Sequence, residues 1–275
     1  MPFSRVCKRK AHGLEVSATL TDDNFLKPPD PSQRNWSVVR TLEEATEDLV
    51  HLDRVSKRFV DGSKRSAITE QWAKSQAKYD DQQLIIDGQQ VMQEWERPYM
   101  EAMADVVTET HGDVLEIGFG MGISASYILA KGVKSYTVIE ANEEVKTKFD
   151  AWATKYPGQN VRLVLGKWQD AIGALAQYDG IFFDTYPLSE DEFQKFVVED
   201  STFAEHFFAA AAEHLRPGGI FTYYSNEIDS VSRRHQRALF KHFKSITFSV
   251  CTPLFPPNDC NYWWADSMIV TKCVK

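Results

Sequence analysis

The sequence contains few cysteines, no long apolar run and no excess of positive charge. Its four cysteines form no Cys-x-x-Cys pair, a spacing typical of zinc sites and redox motifs. No stretch reaches the ~20 consecutive apolar residues of a membrane span, and the N-terminus lacks the apolar core of a secretory signal. The net charge of −8 disfavours a general nucleic-acid binder. We therefore expect a cytoplasmic protein with no metal, no membrane contact and no nucleic-acid partner.

Residues 1–65 of the 275-residue chain are predicted to form an N-terminal extension. Residues 1–40 are irregular, because Lys27–Pro31 blocks regular structure. A helix is expected at 41–60, since Thr41 and Glu44 have capping-box spacing and apolar residues follow at steps of three and four. Its apolar face is expected either to pack on the rest of the chain or to form a homodimer.

Residues 66–275 are predicted to form one α/β domain. The pattern is helical from 66 to 107, with interruptions near Asp87-Gly88 and at Pro98. Buried strands then alternate with helices, which indicates βαβ units. Strands are expected at 113–117, 135–139, 161–165, 180–183 and 219–224, helices at 124–130 and 143–156, and a late antiparallel pair at 245–252 and 267–271. The predicted fold class is a doubly wound, mostly parallel seven-stranded sheet of Rossmann-like type.

Three glycines, Gly118, Gly120 and Gly122, directly follow the first of these strands and precede a helix. Glycine at such a turn lets the backbone approach a ligand closely. Dinucleotide-binding loops have the spacing Gly-x-Gly-x-x-Gly, whereas position 123 is Ile, which disfavours an NAD-linked oxidoreductase. The Gly-x-Gly-x-Gly spacing, with Glu116 before it, resembles the loop of class I methyltransferases. This resemblance implies S-adenosylmethionine as the cofactor.

Two later strand ends offer further candidate cofactor contacts. Glu140 ends the second strand, where a carboxylate is able to accept both ribose hydroxyls. After the third strand, Trp168 and Gln169 present an aromatic face and a polar group where adenine would lie. Trp168 is equally compatible with ordinary core packing.

Two carboxylates are candidates for the acceptor side of the site. Asp184 follows the fourth strand and faces the crevice at the carboxyl ends of the sheet, where partial burial tunes proton affinity. Glu94 and Glu96 are two residues apart, so at most one of them points inward. Paired carboxylates suit a guanidinium group. Because its pKa is above ~12, a base must remove a proton as the nitrogen attacks a methyl group.

These residues lie in segments that resemble the guanidinoacetate N-methyltransferase family. The resemblance covers roughly residues 70–275, and Gly166–Asp170 also resembles fungal arginine δ-N-methyltransferases. The matching segments are Val91–Met100, Val114–Met121, Tyr178–Ser189, Leu215–Gly219 and Pro256–Tyr262.

The resemblance implies a role for each matching position. Glu96 would bind the guanidino group of the acceptor, and Asp184 would bind it and take its proton. A lid at 66–107 would close the site against water. The predicted cofactor contacts are Met92, Glu116, Gly118, Gly120, Gly122, Glu140, Trp168, Gln169 and Asp184. The predicted acceptor pocket consists of Trp72, Tyr79, Tyr99, Tyr186, Tyr224 and Trp263.

One segment departs from the family pattern. Where the creatine-making enzymes carry Cys-Asn-Leu-Thr, whose backbone grips the substrate carboxylate, this chain has Tyr224–Glu227. Glu227 would repel a carboxylate if it pointed inward. The aromatic residues nearby, including Trp263 and Trp264, favour a larger or flatter acceptor unless they only pack in the core.

Three functional interpretations follow from these patterns. The leading one is N-methylation of a small guanidino or amidino compound, with Glu96 and Asp184 as the catalytic residues. A second keeps the methyl donor but uses an aromatic natural product, such as an indole, as the acceptor. A third is a non-catalytic scaffold that binds the cofactor, which the presence of both carboxylates disfavours.

Overall fold

The computed structural model describes residues 18–21, 68, 72–200 and 202–275. The predicted helix at 41–60 lies outside the described residues, and so does the dimer contact assigned to it. The predicted extension at 1–65 is described only at the strand Ala18–Thr21.

The described strands form one large sheet and one three-stranded sheet, called the small sheet below. The strands are β1 (Ala18–Thr21), β2 (Ala77–Tyr79), β3 (Gln83–Ile86), β4 (Gln89–Gln93), β5 (Asp113–Ile117), β6 (Ser135–Glu140), β7 (Val161–Leu165), β8 (Tyr178–Phe183), β9 (Leu215–Tyr223), β10 (Ser245–Cys251) and β11 (Met268–Val274). The large sheet has the order β1-β10-β11-β9-β8-β5-β6-β7, and β2, β3 and β4 form the small sheet.

The large sheet confirms the predicted fold class. The strands β5 to β9 pair in parallel, and β10 and β11 form the predicted antiparallel pair. The strand β1 adds an eighth strand beside β10, which the sequence did not predict. The chain order reverses at β5, which pairs with both β6 and β8, and ligands of such sheets bind at the carboxyl ends of the strands there.

Helices cover both faces of the large sheet. They are α1 (Arg97–Val107), α2 (Ile123–Ala130), α3 (Glu143–Ala153), α4 (Trp168–Ala171), α5 (Glu190–Glu192), α6 (Phe208–His214) and α7 (Arg233–Leu239), with a π-helical stretch at Phe193–Glu199 and 3₁₀ turns at Trp72–Lys74, Glu94–Glu96, Ile172–Ala174 and Phe203–Phe207. Among the described helices, none combines the length and hydrophobicity needed to cross a membrane.

Alternate residues of each central strand enter opposite apolar layers. In β5, Val114 packs in the layer that contains Met100 of α1, whereas Leu115 packs with Phe208 of α6. All four side chains are fully buried, and each such burial contributes about 1.5–3 kcal/mol. The sheet is therefore held from both sides, which fixes the strand ends that carry the candidate site.

The helical prediction for residues 66–107 is wrong between residues 77 and 93, where the chain forms the small sheet. Asp87 and Gly88 both have positive φ values, 52° and 75°, and they connect β3 to β4. Two central residues with positive φ match the right-handed twist of a hairpin, which makes Asp-Gly a strong hairpin signal. Leu84 and Ile86 are buried at alternate positions, as a strand requires. The helix α1 begins only at Arg97.

Candidate active site

A cavity of about 380 Å³ lies at the carboxyl ends of β5, β6 and β8, next to the small sheet. It brings together residues that are far apart in the chain. The predicted site residues that line it are Trp72, Met92, Glu96, Gly118, Gly120, Glu140, Asp184, Tyr186, Tyr224 and Trp263. Among the described residues, no group of His, Cys, Asp and Glu side chains is arranged to hold a metal ion.

The glycine loop is shaped by contacts that exclude side chains. Gly118 has φ +90°, and a Cβ there would lie 2.1 Å from the carbonyl oxygen of Asp184. Gly120 has φ +54°, and a Cβ there would lie 3.0 Å from Sδ of Met92. The positive φ values favour glycine. The loop therefore presents bare backbone to the cavity and packs directly against the segment after β8.

Glu140 is fixed at the end of β6 by the glycine loop and by the start of α3. Its carboxylate accepts hydrogen bonds from the backbone N–H of Phe119 at 2.9 Å and of Asn142 at 2.8 Å. Burial raises the pKa of Glu140, and these backbone N–H groups oppose that rise. The side chain thus has one defined position in the cavity wall.

Asn142 is a residue that the sequence analysis missed. Its side-chain oxygen caps α3 by accepting from the N–H groups of Glu144 and Val145. Its amide nitrogen donates to the carbonyls of Trp72 at 2.7 Å and Ser75 at 2.9 Å. One fully buried amide therefore ties the segment before the small sheet to the strand end that carries Glu140. Its place between a strand-end acid and a helix start is typical of an N-cap. This pattern would have identified Asn142 from the sequence.

Glu116 is buried beneath the glycine loop and does not line the cavity. Its carboxylate accepts hydrogen bonds from the hydroxyls of Ser124 and Tyr136. Burial raises the pKa of Glu116 to about 8, with smaller contributions from the charges of Asp184 and Glu140. The structure therefore shows Glu116 joining β5, β6 and α2, and its predicted contact with the cofactor stays a prediction.

Five other predicted residues also lie outside the cavity lining: Gly122, Tyr79, Tyr99, Trp168 and Gln169. The ring of Trp168 packs edge-on against Phe207, with centroids 4.9 Å apart, and the Gln169 amide lies 3.4 Å from Glu192. The hydroxyl of Tyr99 donates to the carbonyl of Ile269 at 2.9 Å. The predicted roles of Gly122, Trp168 and Gln169 in binding the cofactor, and of Tyr79 and Tyr99 in the acceptor pocket, stay predictions.

Glu96 and Asp184 lie in the wall of the same cavity and interact electrostatically. Burial raises the pKa of Glu96 to about 8, and the negative charge of Asp184 adds to this rise. Burial raises the pKa of Asp184 to about 7. Because a carboxyl group loses hydration when it is buried, its charged form is disfavoured. The pair is therefore poised to gain or lose a proton near neutral pH.

Tyr262 positions Glu96 and was not among the predicted residues. Its hydroxyl donates to Oε1 of Glu96 at 2.5 Å, and the backbone N–H of Gln93 donates to the same oxygen at 2.8 Å. The Tyr262 ring stacks on Trp95 with centroids 6.1 Å apart. Both hydrogen bonds end on Oε1, so they orient the carboxylate without engaging Oε2.

The 3₁₀ turn at Trp72–Lys74 and the small sheet contact both sides of the cavity. The Trp72 ring stacks on Tyr186, with centroids 5.4 Å apart and planes 12° from parallel. The Tyr79 hydroxyl donates to the carbonyl of Gly120 at 3.1 Å. Trp72 thus reaches the segment after β8, whereas Tyr79 reaches the glycine loop.

The segment after β9 directs Glu227 away from the cavity. The Glu227 carboxylate lies 3.1 Å from Nδ1 of His235 and accepts from the backbone N–H of Ser232 at 3.3 Å. It does not line the cavity, whereas its neighbour Asn226 does. The repulsion that an inward Glu227 would exert on an acceptor is therefore absent from this arrangement.

Comparison with known proteins identifies a matching family model and several curated relatives of the chain. Residues 59–275 match the family model described as guanidinoacetate N-methyltransferase. The protein arginine N-methyltransferase 2 of Saccharomyces cerevisiae is 26% identical over 66% of this chain and 44% of its own length. The protein of that name from Candida glabrata is 28% identical over 60% of this chain and 40% of its own length. The chain thus spans less than half the length of these two curated relatives.

The solved structures support the fold alone. Spermidine synthase from Thermotoga maritima has a TM-score of 0.51 to this chain at 17% identity, with 72% of each chain covered. A spermidine synthase complex with the transition-state analogue AdoDATO has a TM-score of 0.50 at 16% identity, covering 72% of this chain and 71% of the other.

Proposed function

Since this chain belongs to the guanidinoacetate N-methyltransferase family of S-adenosylmethionine-dependent methyltransferases, we propose that it methylates a guanidino nitrogen of a small acceptor. The observation that carries the proposal is the pair Glu96 and Asp184 in the cavity that also contains the glycine loop. Two carboxylates that converge on one cavity suit a planar cation with several N–H donors.

The glycine loop and Glu140 would form the donor half of the site. Gly118 and Gly120 form a bare backbone turn in the cavity wall, where a Cβ would meet Asp184 or Met92. Glu140 presents a fixed carboxylate near this turn. These features fit S-adenosylmethionine, because the carboxylate is able to accept from the ribose hydroxyls and the bare backbone admits the methionyl part. When bound, the cofactor supplies a methyl group bonded to a positively charged sulfur. A nitrogen lone pair is able to attack this methyl group and displace the sulfur.

Asp184 would act as the base and Glu96 as the binding group of the acceptor half. A guanidinium has no free lone pair, so one proton must leave the attacking nitrogen, and a carboxylate oxygen of Asp184 would receive it. The pKa of Asp184, raised to about 7 by burial, suits a base that works near neutral pH. Oε2 of Glu96 would accept a hydrogen bond from the guanidino group.

Replacing Tyr262 with phenylalanine should raise the KM for the acceptor about tenfold, as expected when a hydrogen bond to a charged group is lost. The affinity for S-adenosylhomocysteine should stay within about twofold, since Tyr262 contacts only the acceptor half. The Tyr262 hydroxyl also lowers the pKa of Glu96, so its removal should shift the pH–rate profile to higher pH. The ring that stacks on Trp95 is kept, which controls for packing. An unchanged KM and an unchanged profile would reject the positioning role.

The rate should increase as the pH rises from about 6 to about 8.5. Asp184 must be ionised to accept a proton, and its pKa is about 7, while that of Glu96 is about 8. Both raised values mean that protonated, inactive carboxyl groups dominate at low pH and disappear as the pH rises. We expect kcat/KM to rise about tenfold per pH unit between 7 and 8, where mainly Glu96 is still protonated, and to approach about a hundredfold per pH unit below 7, where both carboxyl groups are protonated, because kcat/KM reports the pKa values of the free enzyme. A pH-independent kcat/KM from 5.5 to 9 would contradict this assignment.

A second candidate acceptor is arginine within a protein. It is favoured by the similarity to the two proteins named protein arginine N-methyltransferase 2. Both candidates place a guanidino group between the same carboxylates, so they differ only in what lies outside the cavity.

A labelled-methyl assay with S-adenosylmethionine tests the proposed function. The acceptors are small guanidines, an arginine-containing peptide and indole. Label on the small guanidines is the expected result, and label on the peptide alone would favour the second candidate. Label on indole alone would reject methylation of a guanidino group. Calorimetry should also detect S-adenosylhomocysteine binding and no NAD binding.

A cytoplasmic location and a homodimer formed through residues 1–65 are further parts of this proposal. Light scattering of the full chain and of a chain beginning at residue 66 would test the dimer. A dimer that survives the deletion would reject a contact through the extension.

A further inference from the structure

Among the described residues, the cavity wall contains acidic side chains and no basic ones. Three carboxylates, Glu96, Glu140 and Asp184, line the cavity, and its lining within the described residues includes no Lys, Arg or His. A carboxylate on the acceptor would therefore meet acidic side chains with no compensating cation among the described lining residues. Like charges brought together in this way oppose binding.

The backbone after β9 also offers little to an anion. The N–H of Tyr224 donates to the carbonyl of Phe183 at 3.0 Å. The N–H of Ser225 donates to the Tyr99 hydroxyl at 3.2 Å, and that of Glu227 donates to Oγ of Ser225 at 3.3 Å. Consecutive free N–H groups are what bind an anion at a loop. In this loop three of the four residues, 224, 225 and 227, already use theirs within the protein.

Apart from the carboxylates, two buried polar atoms of this wall have no protein partner among the described residues, and both are neutral. Nε1 of Trp263 and the hydroxyl of Tyr224 are buried and have no hydrogen-bond partner in the described part of the chain. Both residues belong to the cavity lining, and Trp263 is 3% exposed. A neutral N–H or O–H is able to donate to a neutral acceptor atom, such as an amide oxygen, and it supplies no positive charge to balance a carboxylate against the acidic side chains of the wall.

We propose that the methyl acceptor is a guanidino compound without a carboxylate, whose remaining part is apolar or carries a neutral hydrogen-bond acceptor. This inference rests on the proposed function, because the guanidino group is assigned there to Glu96 and Asp184. The negative wall favours a ligand of net positive charge. The apolar part of the wall, which includes Val197 and Phe203, favours an uncharged remainder over a free acid.

Three compounds with the same guanidino group and side chain test the inference. Arginine carries a carboxylate, argininamide replaces it with a neutral carboxamide, and agmatine lacks it. All three carry the same amino group, so the comparison isolates the carboxylate. Binding to the protein with S-adenosylhomocysteine present is measured by calorimetry, and kcat/KM is measured with labelled S-adenosylmethionine. We expect argininamide and agmatine to bind at least tenfold more tightly than arginine and to show a matching gain in kcat/KM.

The outcomes separate this inference from the proposed function. If arginine binds as tightly as argininamide, the exclusion of carboxylates is wrong, while methylation of a guanidino group stands. If none of the three compounds binds or accepts label and indole does, the proposed function fails and this inference fails with it.

A charge introduced at Asn226 provides an independent test. Asn226 is exposed, lines the cavity and has φ +55°. Asn226→Lys adds a cation at the edge of the cavity. Asn226→Gln controls for the backbone effect, because it places another side chain at the same positive φ without adding charge. The preference for argininamide over arginine should fall at least threefold in the lysine variant and stay constant in the glutamine variant. If the two variants prefer argininamide over arginine to the same extent, charge is not the cause of the preference.

Discussion

Replacing Asp184 with asparagine should lower kcat by about 100- to 10,000-fold, the range that general-base catalysis contributes. The amide keeps the shape of the side chain but is unable to accept the proton of the guanidino nitrogen. In the proposed site Asp184 contributes a carboxylate to the acceptor half, whereas the donor half rests on the glycine loop and Glu140. The affinity for S-adenosylhomocysteine should therefore stay within about threefold, because the two halves contribute separate contacts.

Asp179 provides a matched control on the same strand. It lies near the opposite end of β8, where its carboxylate contacts Arg216. Asp179→Asn makes the same chemical change outside the cavity, so it should leave kcat nearly unchanged and alter only thermal stability. If Asp184→Asn keeps more than a tenth of the parent kcat, Asp184 is not the base.

Replacing Gly118 with alanine should abolish measurable binding of S-adenosylhomocysteine and lower the melting temperature. The new Cβ would lie 2.1 Å from the backbone oxygen of Asp184, and φ at this position is +90°. The left-handed conformation costs about 1–2 kcal/mol for a residue with a Cβ, and overpacking a tight site costs about 1–3 kcal/mol more. Because the obstacle is backbone, the loop or the segment after β8 must move.

Gly158→Ala isolates the conformational part of this effect. Gly158 has φ +85°, and no atom lies within 4 Å of the Cβ that alanine would add. This variant should lose about 1–2 kcal/mol of unfolding free energy from the left-handed conformation and bind S-adenosylhomocysteine normally. Equal binding by the two variants would show that the contact between Gly118 and Asp184 does not shape the donor half.

The large sheet was predictable because its central strands are short apolar runs. Such runs, flanked by turns and alternating with helices, are recognised as strands with little knowledge of tertiary contacts. The positions of Gly118, Glu140 and Asp184 follow from the same pattern, since each comes at the carboxyl end of a strand. Parallel strands bring these ends to one edge, so the candidate cavity lies where the sequence indicated.

The contacts of the acceptor half were less predictable, because they join distant parts of the chain. Tyr262 and Glu96 are 166 residues apart, and no local pattern links them. Glu116 shows a different difficulty. Its place before the glycines predicted a cofactor contact, which stays a prediction, whereas its hydrogen bonds with Ser124 and Tyr136 were not predicted. The direction of a side chain at the end of a buried strand depends on the neighbours in the sheet.

The small sheet was missed because one signal supports two interpretations. Asp87-Gly88 interrupts a helix as readily as it forms a hairpin turn. Leu84 and Ile86 alternate over only two buried positions, which is too short a pattern to exclude a helix. The pairing of β3 with β4 decides between them, and pairing is a property of the folded chain.

The small sheet and the turn before it contact both halves of the proposed site. The turn stacks on Tyr186 and is tied to Asn142, while β2 bonds Gly120 and β4 supplies Met92 to the cavity. If the two halves hold the methyl donor and the acceptor as proposed, a displacement of this segment would disturb the binding of both. We expect changes in this segment, unlike changes at Tyr262, to alter the Michaelis constants of both substrates together.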